Sequence, residues 1–218
     1  MILAIDTATE FAGLALYDAD TVWAEEIWHA ARNHTVELMP RLRRMLQKAG
    51  LKTDALEGIA VCVGPGSYTG VRIGVATAKG LALPHNLPLA GVPTLDITAY
   101  PHRRHPLPVV AIARAGRRRI LVARYHRVEG AWRQTVPSRL TTLAELAATL
   151  TEPAFIAGEL NAEEADFLRR HAPAPPEIAS PLHRVRRPAA LAELGARKLA
   201  SDEADDVHHL TPIYLKEP

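Results

Sequence analysis

Gly64-Pro65-Gly66-Ser67-Tyr68-Thr69-Gly70-Val71-Arg72-Ile73-Gly74 joins an apolar run to a helical one. The run before it, Ile59-Ala60-Val61-Cys62-Val63, is short and almost wholly apolar, as a strand buried on both faces should be. Strand, glycine turn and helix in that order form the edge where α/β proteins bind ligands, and amides at a helix start favour an anion. The spacing departs from the two familiar phosphate-binding loops. A dinucleotide fingerprint needs a glycine where Thr69 stands, and Gly70 comes one residue late; a Walker-type loop needs lysine where the chain has Val71. A structural glycine turn is the favoured reading, with Gly64, Gly66, Ser67 and Thr69 kept as candidate nucleotide contacts.

Gly66, Gly70, Gly74 and Ala78 fall four apart and share one helix face almost without side chains. Such a face admits another helix closely, from the same chain or from a partner. Arg72, Lys79 and the short apolar length exclude a membrane span.

With 218 residues, 48% of them hydrophobic, the chain can bury a substantial core. Its single cysteine, Cys62, falls inside the expected strand and reads as a small core residue, which points to a reducing compartment. Met1-Ile2-Leu3-Ala4-Ile5-Asp6 has no basic leader, so a cytoplasmic protein is expected. The formal net charge is only +2, yet arginines cluster at 41–44, 103–104, 117–119 and 184–187. Aromatics do not interleave with them, so solvated surface is preferred to a nucleic-acid platform.

Along the chain, Ile2 to Ile5, Gly13 to Tyr17 and Thr21 to Trp28 read as a three-strand meander. Leu38, Met39, Leu42, Met45, Leu46 and Ala49 recur at helical spacing from Thr35 to Ala49, with Pro40 predicting a bend. A strand at 87–92 and a short helix from Thr94 to Tyr100 follow the glycine helix. Pro101-His102-Arg103-Arg104-His105-Pro106 then marks a boundary, predicting lobes at 1–101 and 102–218. The second half repeats the pattern with strands at 109–113, 120–126 and 132–136, a helix at 143–150, a strand at 154–157 and a helix at 163–171. A proline-rich loop at 172–176, a helix at 189–199 and an extended segment at 212–215 complete it. Two α/β lobes, the first opening with a meander and an Asp-Thr turn, suggest the actin-like ATPase (ASKHA) architecture.

Ile5-Asp6-Thr7-Ala8-Thr9, His34-Thr35 with Leu38-Met39-Pro40, the glycine motif and Gly91-Val92-Pro93-Thr94-Leu95 occur in one order that resembles the TsaB (YeaZ) family. The likeness is dense over residues 1–100 and thin afterwards, where Pro212-Ile213-Tyr214-Leu215-Lys216 resembles a terminal family pattern. Ala8, Tyr68 and Pro93 are mild departures, and Ala113 replaces an acid usual in the second lobe. The resemblance implies a non-catalytic subunit that supports a TsaD-type transferase in making N6-threonylcarbamoyladenosine in ANN-reading tRNAs. It implies a homodimer when alone, a TsaE-type ATPase as further partner, tRNA contact through the complex, no membrane, no cofactor bound alone, and ATP or ADP at the partner junction. It carries interface roles onto Leu38, Leu42, Met45, Leu46, Gly70, Gly74 and Ala78, with core packing an equal alternative.

Residue chemistry points the same way. The catalytic paralogue holds a metal with two histidines four apart, whereas here Leu38 follows His34. His102 with His105 and His208 with His209 lack ligand spacing, so no metal site is expected. Gly66-Ser67-Tyr68-Thr69-Gly70 offsets its serine from a nucleophile elbow. Asp6 could hold magnesium in a stand-alone sugar or acid kinase, or ATPase, of the same superfamily, but Ala8 crowds the turn that a phosphate would approach. The scaffold is expected to lack ATP turnover, which the kinase requires.

Overall fold

The computed structural model describes residues 1–31, 33–116 and 119–214. The chain forms two compact units, 1–97 with 187–214, and 98–186.

In the first unit β1 (Ile2–Asp6), β2 (Phe11–Asp18) and β3 (Thr21–His29) form the expected antiparallel meander. After α1 (His34–Lys48) the chain enters β4 (Gly58–Cys62), then α2 (Tyr68–Ala82), β5 (Leu89–Val92) and the short α3 (Thr94–Ala99). β4 pairs parallel with both β1 and β5, giving the order β3-β2-β1-β4-β5. Because β4 lies inside the sheet between β1 and β5, all five of its residues are buried, which is why its sequence is continuously apolar rather than alternating. α1 runs unbroken through Pro40, and Leu38, Leu42, Met45 and Leu46 form its buried stripe. Each such side chain contributes about 2 kcal/mol on burial.

α6 (Pro188–Ala200) returns to this unit and corrects the expected division at 101/102. A Cβ at Gly195 would overlap that of Ala60, whereas Gly74 lies beside Val61. Neighbouring strand residues point to opposite faces, so α6 covers the face of β4 opposite α2. A lobe ending at residue 101 would leave that apolar face bare.

In the second unit β6 (Val109–Arg114), β7 (Arg119–Val128) and β8 (Ala131–Thr142) form another meander. α4 (Leu143–Thr149), β9 (Phe155–Gly158), α5 (Ala162–His171) and β10 (Glu177–Ile178) follow. The order β8-β7-β6-β9-β10 repeats that of the first sheet position by position. Ile112, Val122, Leu146, Ile156 and Leu168 lie at the centre of its core. β10 is two residues long, too short to show periodicity, and the sequence reading missed it. β8 continues through Pro137, where the expected strand stopped, because it is an edge strand and proline needs no ladder donor there. The repeated topology is the two-lobed actin-like α/β fold.

Candidate functional site

The parallel strands β1, β4 and β5 end side by side, and the motif segments gather at those ends. Asp6 is buried and its Oδ1 accepts the Ala8 amide at 2.9 Å, an Asx turn that turns the chain from β1 into β2. Three elements then grip the turn. Thr7 Oγ1 donates to the Gly70 carbonyl at 2.7 Å, the Ser67 amide donates to the Ala8 carbonyl at 2.6 Å, and His34 Nε2 donates to the Thr9 carbonyl at 2.8 Å.

These bonds explain the glycines. A Cβ at Gly66 would overlap the Ala8 carbonyl, one at Gly70 the Thr7 carbonyl, and one at Gly74 the Thr7 hydroxyl. The small-residue face therefore admits the chain's own β1–β2 turn rather than a second helix. Two amides in the first turn of α2 are also occupied: Gly70 donates to Ser67 Oγ at 3.2 Å and Val71 to the Ser67 carbonyl at 2.9 Å. A phosphate cradle needs open amides and bare glycine backbone. Here the chain itself covers Gly66 and occupies the Ser67 amide, while Asp6 and Gly64 are buried; the Ser67 and Thr69 side chains are exposed.

On the other side of the turn, the Thr94 amide donates to the Gly64 carbonyl at 2.9 Å, and Thr94 Oγ1 lies 3.2 Å from Cys62 Sγ. The C-terminal segment closes over this edge. The Ile213 amide donates to the Val63 carbonyl at 2.7 Å, and Arg72 Nε donates to the Tyr214 hydroxyl at 2.8 Å. The Arg72 guanidinium also lies 3.9 Å from the centre of the Tyr68 ring, and the Tyr68 and Tyr214 rings are 5.2 Å apart. The Tyr214 hydrogen bond leads in raising the Arg72 pKa. Sequence reasoning missed this clasp, since 142 residues separate Arg72 from Tyr214. Leu215 and Lys216 of the terminal motif lie outside the described residues.

The residues to which the resemblance carries interface roles lie beneath the surface of this unit. Leu38 and Leu42 are each 1% exposed, and Met45, Leu46, Gly70, Gly74 and Ala78 are also buried inside this unit. Gly70 and Gly74 of this set lie against Thr7 in the β1–β2 turn. The outer faces carry different residues: Val36 (72% exposed) and Met39 (47%) on α1, with Thr69, Ile73, Ala76 and Gly80 along the exposed and half-exposed side of α2.

Several arginine clusters have structural partners. Arg41 pairs with Glu26 and Glu37 and covers the Trp28 ring, and Arg44 pairs with Glu26. Arg184 donates to the Ala179 and Leu160 carbonyls, Arg186 pairs with Glu159, and Arg187 pairs with Glu25. Arg117 and Arg118 lie outside the described residues. Among the described residues no cluster of three or more His, Cys, Asp or Glu could hold a metal ion, and no helix is long and apolar enough to cross a membrane.

A family model described as TsaD, tRNA N6-adenosine threonylcarbamoyltransferase, matches residues 28–175. The tRNA threonylcarbamoyladenosine biosynthesis protein TsaB of Bacillus subtilis (strain 168) is 35% identical over 218 residues, covering 99% of this chain and 93% of that protein. The chain belongs to the TsaB family. Through the model's match it also falls within the wider TsaD family. The TsaB of Escherichia coli (strain K12) is 45% identical over 95 residues, 43% of this chain and 40% of that protein. The structure of YeaZ from Pseudomonas aeruginosa superposes with a TM-score of 0.80 at 26% identity, covering 98% of this chain and 99% of that one. Membership was legible in the order of the motifs, and three of them, at Asp6–Thr9, His34 and the glycine stretch, meet at the same turn.

Proposed function

We propose that this chain acts in tRNA threonylcarbamoyladenosine biosynthesis as a non-catalytic scaffold that activates a TsaD-type transferase. The observation that carries the reading is the closed turn. Ala8 and Ser67 take up hydrogen-bonding groups that a nucleotide-processing relative would present to phosphate, so the edge is committed to holding α1 and α2 in place. That leaves the outer faces of those helices, with Val36 and Met39 solvated, as the surface offered to the partner. An exposed apolar strip of this kind is where a helical partner gains most from burial.

In this reading Leu38, Leu42, Met45, Leu46, Gly70, Gly74 and Ala78 support the interface from beneath. A second copy occupies the same face when the partner is absent. ATP or ADP binds at the junction only in the assembled complex, a TsaE-type ATPase joins there, and tRNA is engaged through the complex.

Light scattering after gel filtration tests the reading. The chain and its cognate TsaD-type paralogue should elute as a stable heteromer, and Met39→Glu should weaken it about tenfold or more, since a desolvated carboxylate at an apolar contact costs over 1.4 kcal/mol. Two unshifted peaks, or magnesium-dependent ATP turnover by the chain alone that Asp6→Ala abolishes, would favour the stand-alone kinase.

A further inference from the structure

The second unit carries an apolar cavity of about 230 Å³ on the face of its sheet. Val110, Val122 and Ala123 line it from the strands, and Leu146 and Leu150 from α4 and its C-terminal end. Two features open it. α4 has 7 residues where its counterpart α1 has 15, so the helix ends while β7 and β8, of 10 and 12 residues, run on. The β7–β8 register also slips between Val122, opposite Arg139, and Arg124, opposite Val136, so Ala123 faces a bulge at Pro137 and Ser138. Val136, at the mouth, is 42% exposed.

The rim is cationic. Arg124 and Arg139 line the cavity, and Arg133, opposite His126, stands further along the ribbon. Two carboxylates face them. Glu152 meets Arg124 at 3.3 Å but is itself 72% exposed, and Glu145 is committed to the Thr141 hydroxyl and the Thr142 amide at the start of α4. Those two hydrogen bonds lead, and nearby Arg139 adds to them, in lowering the Glu145 pKa, so Glu145 stays ionised without giving Arg139 a close partner.

We propose that this cavity docks an acidic amphipathic helix of a partner protein, one apolar side chain seated over Val122 and Leu146 and flanking carboxylates paired with Arg124 and Arg139. The volume falls below the roughly 300–1,000 Å³ of small-molecule pockets and suits a single anchor residue. Nucleic acid is disfavoured because the floor is aliphatic, while the nearby aromatics Tyr125 and Trp132 stack on each other at 5.8 Å, with Tyr125 buried. This surface is separate from the helices of the scaffold reading and does not depend on it.

Methyl NMR on the full chain tests it with three probes: a stapled helix with leucines on one face and glutamates on the other, the same helix with lysines for glutamates, and poly(U) RNA. The acidic helix should shift Val122, Val136, Leu146 and Leu150, and Arg124→Glu with Arg139→Glu should weaken its binding about tenfold or more. Those positions are exposed or half-exposed, and unmoved methyl signals of Ile112, Ile156 and Leu168 in the second unit's core will show that the variant is folded. Met39→Glu should leave the titration unchanged. Equal binding of the lysine helix, shifts caused by poly(U) alone, or unmoved cavity methyls with the acidic helix would each overturn the proposal.

Discussion

The β4–α2 junction of the first unit and the β9–α5 junction of the second occupy the same place in the same five-strand order, yet they differ in how much of the closure comes from side chains. The first removes side chains so that backbone can bond to backbone: Gly66 and Gly70 lie against the Ala8 and Thr7 carbonyls, and the Ser67 hydroxyl caps α2. The second keeps one glycine of that kind, Gly158 against the Ile112 carbonyl, and adds side chains. Glu159, 8% exposed, pairs with Arg186, 4% exposed, and its Oε2 accepts the Arg114 amide at 3.3 Å. Asn161 and Glu164 then form a reciprocal capping box at α5. A shared topology fixes where a junction falls, while the local sequence decides whether shape or charge closes it.

Breaking the charged junction should have the largest effect. Glu159→Ala removes a paired carboxylate from the buried Arg186 guanidinium, and urea denaturation should show about 3–5 kcal/mol lost, whereas Glu159→Leu with Arg186→Met should recover most of it. If the double variant is no better than the single one, the pair itself, rather than the buried charge left without that carboxylate, accounts for the cost. Breaking the shaped junction comes next: Gly66→Ala forces Ala8 away from α2 and should cost about 1–3 kcal/mol, with amide exchange speeding up at Ser67 and Gly70.

Removing the caps sharpens the comparison further. Ser67→Ala and Asn161→Ala should each cost about 1 kcal/mol, and a larger loss at Ser67 would show that its hydroxyl supports the glycine turn as well as the helix.

The smallest effect is on pH dependence. Burial, above all, lowers the pKa of His102, whose ring lies 5.0 Å from Phe155; a hydrogen bond to the His183 backbone opposes this, and the His183 and His105 charges add to the lowering. A histidine whose folded pKa is depressed binds fewer protons folded than unfolded, so stability holds above the unfolded value near pH 6.5 and falls as pH drops below it. His102→Gln should flatten the decline of the second unit's melting temperature between about pH 6.5 and 5 without touching the first unit.

The sequence by itself determined the order of the strands and helices long enough to show a period, because that period is local: the continuous apolar run of β4, the stripe of α1 and the alternation of the meanders depend on residues a few positions apart. It also determined family membership, since the motifs keep their order whatever they touch. Only the tertiary structure decided what the glycines serve, where the buried arginines go, and that α6 rejoins the first unit. Those answers rest on contacts between residues tens to well over a hundred positions apart, Gly70 with Thr7 and Arg72 with Tyr214, and nothing in a local pattern distinguishes a small face made for a partner's helix from one made for the chain's own turn.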